Sequence, residues 1–110
     1  MSDVPEMTVT ELKQRLDAGN APVLVDVREY YEADIADLPD VGQLRIPMAE
    51  ITERLGEMDQ NAELVLYCRS GARSDRAVRF LLRHGYSNVL NLKGGVLAWG
   101  REVDPDVPPY

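Results

Sequence analysis

The sequence predicts an α/β fold in which helices cover both faces of a parallel sheet, and three observations carry that expectation. Short apolar runs at 22–27, 64–67 and 89–92 alternate along the chain with segments of helical periodicity. The first two runs are almost unbroken in apolarity, as suits strands buried on both faces of a sheet. A strand–helix–strand alternation also calls for right-handed crossovers, which leave successive strands parallel. With 110 residues the chain is expected to form one domain, 1–110, large enough to bury a single core.

Taken in order, Thr8-Val9-Thr10-Glu11 has the form of a capping box, with Thr8 at the N-cap and Glu11 at the third helical position. Val9, Leu12 and Leu16 follow at helical spacing, and Gly19 closes the helix. The run 22–27 is a strand, with Asp26, Arg28 and Glu29 at its carboxyl end, where open α/β sheets place their ligands. Asp26 and Arg28 are expected to form a structural ion pair beside the site rather than to act in catalysis. Residues 30–36 form a short helix bearing Glu32 and Asp34. Met48, Ile51, Leu55 and Met58 mark an amphipathic helix that packs on the core. Asp59-Gln60-Asn61 is the turn into the strand 64–67.

That strand stops at Cys68, and the chain turns through Arg69-Ser70-Gly71-Ala72-Arg73-Ser74 into a helix over 75–84, whose face is Ala77, Phe80, Leu81 and His84. Several features here favour a thiolate. Successive loop N–H groups can curl into an anion nest, the helix N-terminus adds partial positive charge, and Arg69 and Arg73 add two cations. Each lowers a thiol pKa from about 8.5 toward the reactive range. A buried core cysteine would gain nothing from two arginines. His84-Gly85 ends the helix, with His84 placed as a cap at its far end rather than as a general base. Val89–Leu92 is the last strand. Gly94-Gly95 gives a tight turn into a helix bearing Trp99, and the tail 104–110 carries too many prolines for regular structure.

Composition narrows the function classes. A net charge of −7 argues against general affinity for nucleic acid. Between Cys68 and His84, however, five arginines face one acid, so that segment is about +4 and the remainder about −11. Arg76, Arg79 and Arg83 are read as a solvated helix face, while Arg69 and Arg73 lie in the loop itself. One cysteine excludes an intramolecular disulfide and a multi-cysteine metal site, and suits a reducing compartment. No secretory signal and no long apolar run are visible, so a cytoplasmic protein without membrane contact is expected, as a monomer. No cofactor or metal is expected, since P-loop, Ser/His/Asp and metal-ligand patterns are all missing.

Cys68-Arg69-Ser70-Gly71-Ala72-Arg73-Ser74 resembles the active-site loop of the rhodanese family of sulfurtransferases. Val25-Asp26-Val27-Arg28-Glu29 resembles that family's strand-end signature, and 88–99 resembles its closing strand and Gly-Gly…Ala-Trp helix. The three lie in the family's order. The resemblance implies a compact domain around a mostly parallel sheet of about five strands. It also implies Cys68 as nucleophile and persulfide carrier, with residues 69–74 binding the substrate. Arg73 either contacts the donor or turns inward to an acidic residue, as the family's second arginine often does. One stretch departs from the pattern. Asp37 stands where the family usually has histidine, and about two extra residues precede Ile46-Pro47, which alters the expected pocket rim. The Leu38-Pro39 variant is similar to rhodanese domains that work with ubiquitin-like sulfur carriers.

One thiolate in an anion cradle can attack an electrophilic sulfur and pass it on as a persulfide. It can also attack phosphorus or arsenic oxyanions, as in the related cysteine phosphatases and arsenate reductases, or the domain can serve only as a binding module. Four residues separate Cys68 from Arg73, as in rhodaneses, whereas the phosphatase loop has five. The expected activity is therefore sulfur transfer from a small anionic donor such as thiosulfate. The acceptor would be cyanide, a thiol or a ubiquitin-like sulfur-carrier protein.

Overall fold

In the computed structural model, which describes residues 3–110, five parallel strands form one sheet in the order β1-β5-β4-β2-β3. The strands are β1 Glu6–Met7, β2 Val23–Asp26, β3 Leu44–Arg45, β4 Leu64–Tyr67 and β5 Val89–Leu92. Four helices join them: α1 Val9–Asp17, α2 Glu32–Ile35, α3 Ala72–Leu82 and α4 Gly95–Glu102. The α/β class and the parallel sheet stand as expected, while β1 and β3, two residues each, carry no periodic signal.

Alternation along β4 divides the interior in two. Leu64, Leu66 and Cys68 point into a cluster with Ala77, Val78 and Leu81 of α3. Val65 and Tyr67 point to the opposite face, against Val9 and Leu12 of α1 and Val96 and Trp99 of α4. All four β4 residues are buried, which explains why that run is apolar throughout. Cys68 thus leaves the sheet on the α3 face, directly ahead of the helix that follows it.

Local signals read from the sequence reappear as geometry. The Thr8 hydroxyl accepts from the Glu11 N–H at 3.1 Å and Glu11 Oε1 accepts from the Thr8 N–H at 3.0 Å, which is the capping box. Gly19 ends the α1 segment at φ 70°. The helix expected over 75–84 instead starts at Ala72 and ends at Leu82. Gly71, at φ 100°, reverses the chain within one residue, so the Asp75 N–H already reaches the Gly71 carbonyl at 3.0 Å. His84 lies beyond that helix, exposed, with its ring 4.0 Å from Phe80 and its Nδ1 2.7 Å from the Phe80 carbonyl oxygen.

The segment 48–58 is a correction. It is not one amphipathic helix but two 3-10 turns, Met48–Glu50 and Leu55–Glu57. Arg54 leaves the helical region at φ −113°, ψ 18°, and Gly56 does little to hold a helix together. Two short turns satisfy the same apolar spacing. Ile51 and Met58 are buried, and Met48 and Leu55 pack against the same cluster. The proline-rich tail has no regular structure, as expected, yet it is not loose. Val107 and Tyr110 pack against the α1/α4 cluster.

Candidate active site

The loop after β4 is built so that its carbonyls face one way and its N–H groups the other. The carbonyl oxygens of Cys68 and Arg69 accept the N–H groups of Val96 and Leu97, each at 3.0 Å, from the first turn of α4. This approach is possible because Gly95 has no side chain. At φ 59° its Cβ would collide with the Cys68 carbonyl oxygen and come within 2.6 Å of that of Arg69. With those carbonyls occupied, the Gly71 N–H donates to Cys68 Sγ at 3.1 Å. Cys68 itself is 1% exposed.

Burial pushes the Cys68 thiol up. Hydrogen bonds from the Ser74 hydroxyl and from the N–H groups of Ser74, Gly71 and Ser70 outweigh it, so the pKa is lowered overall. The donors of the loop and first helical turn, not the arginine charges, lead that effect. The Arg73 guanidinium is in turn raised, chiefly by Glu32 against the opposing effect of burial, with the nearby Cys68 thiolate adding to the rise.

Ser74 is fully buried, and its single hydroxyl proton serves two acceptors, Asn91 Oδ1 at 2.6 Å and Cys68 Sγ at 3.4 Å. The Asn91 amide is fixed because its Nδ2 donates to the Gly71 carbonyl at 3.1 Å. One buried asparagine on β5 therefore ties the loop glycine to the serine beside the sulfur.

A charged network lies under the loop. Arg28 has no exposed side-chain surface. It binds Asp26 through Nε at 2.9 Å and Nη2 at 3.0 Å, Asp37 at 2.9 Å, the Ala36 carbonyl at 2.8 Å and the Tyr110 hydroxyl at 2.8 Å. The Tyr110 hydroxyl donates onward to Glu32 at 2.9 Å, and Glu32 holds Arg73 in a two-point pair at 2.8 and 2.9 Å. Asp26 and Arg28 are thus the ion pair the sequence suggested, and Arg73 is turned inward onto an acid. Asp37 lies within this network rather than on the rim alone. It also accepts from the Tyr67 hydroxyl at 2.8 Å and from Arg45 at 2.6 Å, and it binds the Leu38 N–H at 2.9 Å. Arg73, with Glu29 and Tyr110 assisting and burial opposing, holds the Glu32 carboxyl down to about 2.

The structure brings Cys68, Ser70, Gly71, Ala72, Arg73 and Ser74 into one turn, with Ser70 and Ala72 exposed and Ser74 buried. Arg69 is exposed and meets the tail. Its Nε donates to the Tyr110 carbonyl oxygen, and its guanidinium carbon lies 5.4 Å from the Tyr110 ring centre. The cationic spot is partly neutralised, because Arg73 pairs with Glu32 and Arg79 with Asp75 and Asp3. Among the described residues no group of three or more His, Cys, Asp or Glu is placed to hold a metal ion.

Three contributors were not assigned from sequence: Glu32, Asn91 and Tyr110. Asn91 had a visible signal, a polar residue inside the apolar run 89–92. Glu32 and Tyr110 had none, since their partners are 41 and 78 residues away.

The family model of the Rhodanese-like domain matches residues 8–102. A sulfurtransferase of Allochromatium vinosum is 42% identical over 106 residues, covering 96% of this chain and 97% of that protein. The adenylyltransferase and sulfurtransferase MOCS3-2 of Zea mays is 35% identical over 94% of this chain, which spans only 23% of that longer protein. The human single-domain sulfurtransferase TSTD1 superposes with a TM-score of 0.78 at 27% identity, covering 89% of this chain and 96% of that one.

Proposed function

The chain belongs to the rhodanese-like family, among relatives that are sulfurtransferases, and on that premise we propose that Cys68 carries a sulfane sulfur between an anionic donor and a nucleophilic acceptor. The observation that carries this reading is the sulfur of Cys68, buried at the end of β4 and receiving the Gly71 N–H at 3.1 Å. The thiolate attacks the outer sulfur of a donor such as thiosulfate. A Cys68 S–S bond forms, the donor's S–S bond breaks, and sulfite leaves with the electron pair. The N–H groups that lower the thiol pKa also stabilise the persulfide anion. A nucleophilic acceptor such as cyanide or a thiolate then attacks the terminal sulfur, which breaks the persulfide S–S bond and returns Cys68 to the thiolate. With a carrier protein the persulfide's outer sulfur instead attacks the activated acyl C-terminus, the activating group leaves, and an external thiol reductant cleaves the resulting acyl disulfide to free Cys68.

Loop length favours this over phosphate chemistry, because four residues rather than five separate Cys68 from Arg73, and Arg73 is turned onto Glu32 rather than toward an oxyanion. Arg69 steers the donor, while Arg73, held by Glu32, supports the loop. A carrier-protein acceptor is favoured by the kinship to the Zea mays adenylyltransferase and sulfurtransferase and by the acidic body around a cationic mouth. A cytoplasmic location is in keeping with a single reduced thiol.

The test is thiosulfate:cyanide sulfurtransferase activity in the unaltered protein and in Cys68→Ser. Activity in the former and its loss in a folded Cys68→Ser protein support the reading. Equal activity in both, or hydrolysis of an aryl phosphate at a comparable rate, would overturn it.

A further inference from the structure

The tail that ends in Tyr110 is docked by several specific contacts. The N–H groups of Val103 and Asp104 both reach the Trp99 carbonyl at 2.9 Å, and the Val107 N–H reaches the Asp104 carbonyl at 3.1 Å. Gly100 makes room for it, since a Cβ there would lie 2.6 Å from the Val107 carbonyl oxygen. Along this path Pro105, Val107, Pro108 and Pro109 line, together with Arg69 and Leu97, a groove of about 460 Å³. The chain then delivers Tyr110 between the two arginine systems of the site.

Tyr110 meets each system differently. Its hydroxyl accepts from Arg28 and donates to Glu32, the partner of Arg73. Its ring centre lies 5.8 Å from the Arg28 guanidinium carbon and 5.4 Å from that of Arg69. Its carbonyl oxygen accepts the Arg69 Nε–H. Among the described residues, the two Nη groups of Arg69 take no hydrogen-bond partner. A guanidinium anchored through Nε and set over a ring is pre-organised, with its remaining edge available for a two-point contact to an anion.

We infer that Tyr110 is a positioning residue that sets the donor specificity of the site, holding Arg69 so that its free edge receives the anionic end of the sulfur donor. The inference rests on the sulfur-transfer reading of Cys68 but concerns a residue 41 positions from Arg69, outside the family match over 8–102. The ring and the docked carbonyl act on Arg69, and the hydroxyl acts on Glu32 and Arg73. The two halves can be separated by substitution.

Tyr110→Phe keeps the ring and the docked tail, whereas Tyr110→Ala removes the ring, and Tyr110→Leu fills the volume without an aromatic face should the alanine variant fail to fold. Two donors deliver the same sulfur with different charge: thiosulfate, a dianion, and an alkanethiosulfonate, a monoanion. Tyr110→Ala or Tyr110→Leu is expected to raise KM for thiosulfate roughly 3- to 10-fold, with less change for the monoanion and kcat within about 2-fold. Tyr110→Phe is expected to keep the KM ratio of the unaltered protein. A second readout needs no sulfur transfer. The rate of Cys68 alkylation by anionic iodoacetate relative to neutral iodoacetamide should fall roughly 3-fold or more in the alanine or leucine variant and hold in the phenylalanine variant. An unchanged ratio of both kinds in Tyr110→Ala and Tyr110→Leu overturns the role of Tyr110, as does a Tyr110→Phe protein impaired as much as they are. A protein that never transfers sulfur but still shows the alkylation effect would overturn the sulfur-transfer reading and leave the positioning role standing.

Discussion

Glu32 is 4% exposed and still ionised, held by Arg73, by the Glu29 N–H and by the Tyr110 hydroxyl. Its pKa falls from the usual 4.5 to about 2. A carboxyl depressed in the folded state adds stability that is fully present above pH 4.5 and is lost as pH falls through about 2. That depression sets a ceiling of about 3 kcal/mol on the contribution. Glu32→Gln is therefore expected to lower stability at pH 7 by about 1–3 kcal/mol and to flatten the decline between pH 4.5 and 2. Denaturant melts of both proteins across that range measure it, and parallel pH profiles would show that Glu32 is not coupled to folding through its charge. Arg28 belongs to the same network with higher stakes, because its loss would leave Asp26 buried without its main partner. Arg28→Ala is expected to cost about 3–5 kcal/mol, or to prevent folding.

At the scale of elements, the site is the meeting of three: the end of β4, the start of α3 and the start of α4. Because α4 presents its first N–H groups to the loop carbonyls, Gly95→Ala should push the loop out of shape. The expected result is a folded but destabilised protein with at least roughly 10-fold lower sulfur transfer, read from a melt and an assay on one preparation. Register on α3 matters equally. One residue inserted between Ala72 and Arg73 rotates Arg73 by about 100° around the helix, away from Glu32. Sulfur transfer should be lost, and retention of full activity would show that the Glu32–Arg73 pair is dispensable.

The elements also show what was legible beforehand and why. The loop 68–74, β2, β4, β5 and the α1 cap declare themselves by residue type and spacing, although the strands pair, and the loop is held, across long stretches of sequence. The 48–58 segment misled because residues spaced at i, i+3, i+7 and i+10 fit two 3-10 turns as well as one helix. The partners that complete the site could not be read from local pattern, since Glu32 reaches Arg73 across 41 positions and Tyr110 reaches Arg28 across 82. Among the buried polar residues, Asp26 and Asn91 each interrupt an apolar run and so mark themselves.

Over the whole molecule, charge and thiol count shape behaviour. The protein carries −7, with arginines gathered around and behind the loop, so an anionic donor or an acidic partner meets a local field opposed to the net charge. Added salt should therefore weaken thiosulfate use. Cys68 is the only cysteine in the chain, which leaves no internal thiol to resolve a persulfide into a disulfide. On the proposed reading, a sulfur taken from a donor would wait for an external acceptor, sheltered by the N–H groups of Ser70, Gly71 and Ser74 that lower the Cys68 pKa. Intact-mass spectrometry after treatment with thiosulfate alone tests this most directly. A gain of one sulfur atom on Cys68, removed by cyanide and absent in Cys68→Ser, is expected. A disulfide-linked dimer through Cys68 as the only product, or no added sulfur with any donor, would contradict it.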